Sequence, residues 1–111
     1  MSKKELKKIL KNPKGKIIAV DLDGTLCEGE YWGEDREPKP KPEMIKLLEE
    51  IHLKRGTIII YTARWAELYR ATYAWLIKHK VPFHGICMQI KPGADLYIDD
   101  KALNPEDIFE K

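Results

Sequence analysis

The chain has 111 residues, with 20 Lys and Arg against 18 Asp and Glu, a formal net charge of +2. That is one domain's worth of sequence, and charged residues at 34% beside an apolar set at 43% describe an ordinary soluble globular protein. No apolar run approaches the roughly 18 residues of a membrane span, the lysine-rich start lacks a signal-peptide h-region, and Cys27 and Cys87 form no CxxC or even-numbered framework. Membrane-spanning, secreted-disulfide and disordered classes are therefore disfavoured, and reduced thiols in a cytoplasmic protein are expected.

The charge is unevenly placed. Residues 1–16 hold seven lysines against Glu5, so a basic arm over residues 1–14 precedes a body with an acidic excess. Such an arm suits a polyanion such as nucleic acid. The simpler reading is a solvated surface helix docking Leu6, Ile9 and Leu10 as one apolar stripe, and the lack of interleaved aromatics favours it.

Asn12-Pro13-Lys14-Gly15 ends that helix. Ile17-Ile18-Ala19-Val20 is apolar without alternation, which predicts a strand buried on both faces, as in a parallel sheet; Gly24 stops it. Residues 24–41 are polar and turn-rich, with Pro38 and Pro40 in extended chain and Pro42 suited to a helix first turn. Met44, Leu47, Leu48 and Ile51 then predict an amphipathic helix from Glu43 to Arg55, with Gly56 as its stop. Thr57–Thr62 reads as a second buried strand. Arg64 to Lys80 reads as a helix with Trp65, Leu68, Thr72, Trp75, Leu76 and His79 on one face, so both Trp65 and Trp75 are expected in the core. Short strands over Ile86–Ile90 and Ala94–Asp99 and a last helix from Asn104 complete the chain. Strands alternating with helices predict a mainly parallel sheet in an α/β sandwich, as a single domain over residues 1–111.

In such a sheet ligands bind beyond the carboxyl ends of the strands. The first strand ends in Asp21-Leu22-Asp23-Gly24-Thr25, the second in Thr62-Ala63-Arg64, and the late one in Asp99-Asp100, with Lys91 upstream. Four carboxylates on one sheet edge repel one another unless a hard divalent cation joins them, and Mg²⁺ suits one to three such oxygens with waters and a substrate phosphate. Gly24 allows close backbone approach there, and a helix opening near Arg64 would add its positive end. A calcium loop of the EF-hand kind fails on spacing, since counting Asp21 as position 1 puts Trp32 where a glutamate is needed.

Asp21-Leu22-Asp23-Gly24-Thr25-Leu26 after an apolar strand resembles the first motif of the haloacid dehalogenase-like (HAD) phosphohydrolases. Thr62, Lys91 and Asp99-Asp100 are similar to their second, third and fourth motifs in the same order, so the resemblance runs from about Lys16 to Leu103. It implies a Rossmann-like three-layer sandwich. It also implies a Mg²⁺-dependent phosphatase in which Asp21 is the nucleophile and Asp23 the general acid and base. Thr62 would hydrogen-bond a phosphoryl oxygen, Lys91 would neutralise developing charge and hold Asp21 ionised, and the Asp21 side chain, the Asp23 carbonyl oxygen, Asp99 and Asp100 would hold the metal. Gly24, Thr25 and Arg64 are the candidate substrate contacts, and Tyr31 and Trp32 offer a surface for a base or sugar to stack on. The insert between Thr25 and Pro42 is too short for a cap domain, so a capless member with an open site is expected.

Arg64, Tyr69, Thr72, Trp75-Leu76, Val81-Pro82 and Ile98-Asp99-Asp100 are similar to the phosphatase domains of polynucleotide kinase-phosphatases, and small sugar-phosphate phosphatases share the layout. The substrate class is thus a phosphorylated small molecule, a nucleotide or an oligonucleotide end. A phosphotransferase, a silent phosphate-binding protein and a receiver-type signalling module are the alternatives; a receiver would place its acidic pair before a lone acceptor aspartate. A short, exposed sheet edge near the chain's end leaves homo-oligomer pairing open. His52, His79 and His84 lack ligand spacing and read as structural or solvated. Cys27 reads as a small packing residue and Lys101 as a surface cation near Asp99-Asp100.

Overall fold

Residues 2–28, 37–99 and 105–109 are described by a computed structural model. Helix α1 spans Lys3–Lys11, started by Ser2, whose Oγ accepts the Glu5 N–H at 3.2 Å. Its lysines stay at the surface while Leu6, Ile9 and Leu10 pack on the core, so the arm is a docked amphipathic helix. After it come β1 (Ile17–Asp21), α2 (Pro42–Leu53), β2 (Thr57–Thr62), α3 (Tyr69–Lys78), β3 (Gly85–Met88), β4 (Leu96–Ile98) and α4 (Pro105–Ile108). Pro42 opens α2, where its missing N–H costs nothing.

The four strands form one all-parallel sheet in the order β3-β2-β1-β4, an α/β Rossmann-like arrangement. Side chains in register share a face, so Ile18, Val20, Ile58, Ile60, Leu96 and Ile98 line one face, all essentially inaccessible. Right-handed crossovers place α2 and α3 on a common side of the sheet, and Met44, Leu48, Ile51, Trp75 and Leu76 join that core. The other face carries Ala19, Asp21, Ile59, Tyr61 and Tyr97 and is covered less completely, since Thr57, Ile59 and Tyr61 are half-buried. The indole N–H of Trp75 donates to the Pro38 carbonyl at 2.9 Å, and Lys78 pairs with Glu37 at 2.8 Å, lowering the Glu37 pKa; both contacts tie residues 37 and 38 to α3.

Two helix boundaries differ from expectation, and so do the later strands: β3 runs from Gly85 and stops at Met88 rather than Ile90, and β4 covers only Leu96–Ile98. The second helix ends at Leu53, and the left-handed residue after it is Arg55 (φ 65°), not Gly56. Gly56 is there for space: a Cβ would sit 2.6 Å from Ile51 Cγ2 and 3.0 Å from Pro13 Cβ. The third helix begins at Tyr69, preceded by a single 3₁₀ turn over Ala66–Leu68, so Arg64 and Trp65 lie outside it. The Thr62 hydroxyl accepts the Arg64 N–H at 3.2 Å and Gln89 Oε1 accepts the Ala66 N–H at 3.2 Å, which shifts the helical phase. Trp65 is consequently turned outward and 67% exposed, against its expected core position, whereas Trp75 is fully buried.

Gly56→Ala should destabilise the fold by about 1–3 kcal/mol through overpacking against Ile51 and Pro13, read from urea unfolding midpoints. A change below about 0.5 kcal/mol would show that this contact yields freely.

Candidate active site

The strand order reverses at β1: β2 and β3 extend the sheet one way, and the chain then crosses back to lay β4 on the other side. The crevice at the carboxyl ends of β1 and β4 is the switch point of the sheet, where open α/β folds bind ligands. Asp21 ends β1 and Asp99 directly follows β4. An open cavity of about 360 Å³ lies there, lined by Asp21, Tyr61, Thr62, Ala63, Gln89, Ile90, Lys91 and Asp99.

Four expected residues, Asp21, Thr62, Lys91 and Asp99, thus meet at one cavity from four separated stretches of chain. Asp21 Oδ1 accepts the Leu22 N–H at 2.8 Å, which orients its carboxylate at the strand end. Asp99 is 8% exposed and its Oδ2 accepts the Tyr61 hydroxyl at 2.5 Å. Lys91 Nζ lies 3.6 Å from the same oxygen and 4.4 Å from the Tyr97 ring centroid. The lysine therefore pairs with Asp99, where Asp21 was the expected partner. Burial first, then the Asp99 bond and the charges of Asp99 and Asp21, pushes the Tyr61 phenol far above its ordinary pKa, so it stays a donor.

Asp23, Arg64, Gly24 and Thr25 are not among the residues that line the cavity. Arg64 is buried and grips Asp23 with a two-pronged contact: Nε donates to Oδ2 at 2.8 Å and Nη2 to Oδ1. The candidate substrate arginine is thus spent on an aspartate. Gly24 takes φ 85°, a left-handed turn that its lack of a Cβ permits. The Gly24 N–H donates to the Cys27 carbonyl and the Thr25 N–H to the Leu22 carbonyl, so these amides serve the turn. The Thr25 hydroxyl is buried with no hydrogen-bond partner among the described residues. Asp100, Tyr31, Trp32 and Lys101 lie outside the described residues.

Sequence reasoning missed three neighbours. Lys41 Nζ donates to the Gly24 carbonyl at 3.0 Å, bracing the turn after β1. Tyr61 and Gln89 line the cavity itself. Only Tyr61 carried a signal: it precedes Thr62 on a strand otherwise made of aliphatic and hydroxyl side chains. His84 Nδ1 accepts the Ile58 N–H at 2.9 Å, a structural role as expected. Cys27 is buried with Sγ 3.9 Å from Asp23 Oδ1, and burial first, then the Asp23 charge, pushes its thiol up to about 12.

A crystal structure of a Vibrio cholerae protein is 33% identical to this chain, covers 84% of it and 86% of its own length, and superposes with a TM-score of 0.62. A conserved protein from Bacteroides thetaiotaomicron is 26% identical over 79% of this chain and 78% of its own, with a TM-score of 0.64. The chain belongs to the same family as the Vibrio cholerae protein. No family model and no curated protein matches it.

Two outcomes test this geometry. In a double-mutant cycle of Arg64→Ala and Asp23→Ala, urea unfolding should give a coupling of about 1–2 kcal/mol; additive effects would dissolve the pair. Cys27 should resist iodoacetamide in the native protein at pH 8 while half-buried Cys87 is labelled, and equal labelling rates would show the turn to be open. Because the folded thiol holds its proton longer than the unfolded one, this group contributes stability that declines as pH rises from about 9 toward about 12.

Proposed function

We propose that the protein is a Mg²⁺-dependent phosphomonoester hydrolase of the HAD type, capless and cytoplasmic, working through an aspartyl-phosphate. One observation supports this above the rest: Asp21, Thr62, Lys91 and Asp99 line a single open cavity at the switch point of a parallel sheet. Chains of motif order and spatial convergence are independent, since sequence order alone does not make β4 the neighbour of β1. The two free cysteines agree with a reducing compartment.

In this reading an Asp21 carboxylate oxygen attacks the phosphorus of a bound monoester, forming an O–P bond as the bond to the leaving oxygen breaks. Asp23 delivers a proton to that oxygen. It then takes one from the water that attacks the aspartyl-phosphate, releasing inorganic phosphate and restoring Asp21. Arg64 occupies one lone pair on each oxygen of Asp23, which leaves the second lone pair of either oxygen for the proton. Thr62 donates its hydroxyl to a phosphoryl oxygen, and Lys91 offsets negative charge beside Asp99. Asp21 and Asp99 are two carboxylates on one cavity and would be the oxygen ligands of a hard divalent cation, since Mg²⁺ needs only one or two carboxylates among its waters; the resemblance adds the Asp23 carbonyl and Asp100, the latter outside the described residues. When bound, Mg²⁺ neutralises phosphate charge against the carboxylates. The open cavity suits a phosphorylated small molecule or an oligonucleotide end.

Phosphate release from sugar phosphates, nucleotides and 3′-phosphorylated oligonucleotides, with and without Mg²⁺, is the direct test. Asp21→Asn should lower kcat by more than about 10³-fold and Asp23→Asn by about 10²–10⁴-fold, with chelator abolishing turnover. Activity that survives Asp21→Asn or chelator sinks the mechanism.

A further inference from the structure

The residue beside Asp21 across the β1–β2 register is Tyr61, and period-2 alternation puts both on the sheet face that also carries Tyr97. Its hydroxyl reaches Asp99 Oδ2 at 2.5 Å. Its ring is held in turn: Tyr97 meets it edge-on, with centroids 6.2 Å apart at 88°, and Lys91 Nζ lies 5.8 Å from its centroid. Tyr97 is itself anchored by its hydroxyl on the Pro92 carbonyl at 2.7 Å. A tyrosine fixed at both ring and hydroxyl thus grips a carboxylate that follows a strand of only three residues. Lys91 addresses the same oxygen from 3.6 Å through a side chain that is half exposed, a weaker constraint.

We propose that Tyr61 is a positioning residue for Asp99, setting the rotation of that carboxylate so that it meets a divalent cation in a fixed orientation; the inference rests on the metal-dependent reading above. A carboxylate ligand left to rotate loses part of its binding energy to ordering on each encounter, and donors behind metal ligands remove that cost. Tyr61 suits the task because a rigid two-torsion side chain reaches across from the neighbouring strand ladder, β2 through β1 to the end of β4, and links the cavity's two sides.

Mn²⁺ binding to the resting protein, read by electron paramagnetic resonance of the free ion, tests this without turnover. The wild-type chain should bind Mn²⁺ and Asp99→Asn should lose it. Tyr61→Phe, which keeps the ring, should bind about 10-fold or more weakly with an unchanged circular dichroism spectrum. Tyr73→Phe removes a hydroxyl from a half-exposed ring on α3 that does not line the cavity, and should keep the wild-type affinity within about twofold. Unchanged or tighter binding in Tyr61→Phe overturns the positioning role while the metal site stands. A wild-type chain that binds no Mn²⁺ overturns both.

Discussion

Everything in this site depends on one electrostatic constraint: parallel strands lying side by side end at the same edge, and here Asp21 ends β1 while Asp99 directly follows β4. Carboxylates gathered there repel one another and lose hydration, so each needs a compensating group. Asp23 receives the Arg64 fork, and Asp99 receives the Tyr61 hydroxyl with Lys91 nearby. Asp21 takes the Leu22 N–H and faces the cavity. The two-pronged arginine contact thus falls on Asp23, which is not in the cavity lining, and the cavity itself is edged by acid, hydroxyl and ammonium together.

That division sorts the acidic residues by task before any ligand arrives. The Arg64 guanidinium is buried while the Asp23 carboxylate is 35% exposed, so the fork holds Asp23 through two bonds on one side and leaves the other side to solvent. The Lys91 pair is half exposed and contributes mainly local charge. The hydroxyl of Tyr61, kept protonated by burial and its acidic neighbours, adds direction without adding charge. Around these groups the turn at Gly24 spends its own amides on Cys27 and Leu22 and is braced by Lys41. The Gly24 and Thr25 amides are thus occupied within the turn, and phosphate recognition in the proposed reaction falls to Thr62 and Lys91.

Much of this was legible in the chain. The unbroken Ile17-Ile18-Ala19-Val20 run announced a strand buried on both faces; Ile18, Ala19 and Val20 are inaccessible, while Ile17 at its start is 39% exposed. Leu6, Ile9 and Leu10 at helical spacing announced a docked helix rather than a free basic arm. The errors share a cause. Trp65 was placed in the core by extending a helical phase backward through Arg64, but hydrogen bonds from Thr62 and Gln89 set a different phase there. Gly56 looked like a helix stop because glycine tolerates positive φ, yet Arg55 takes that conformation and Gly56 answers a clash with Ile51 and Pro13. Both depend on residues remote in sequence or on side-chain volume, which periodicity does not encode.

The sequence by itself determined the element types and the aspartates at strand ends, because hydrophobic period and turn chemistry are local properties. It also carried the ordered motifs that point toward phosphoryl chemistry. Only the tertiary structure decided that β4 lies against β1, which brings Asp99 to the cavity of Asp21, and that Arg64 serves Asp23 while Tyr61 serves Asp99. Strand neighbours and side-chain partners are chosen by the packing of the whole sheet. The charge a residue brings is written in the chain, but the charge it meets is a property of the fold.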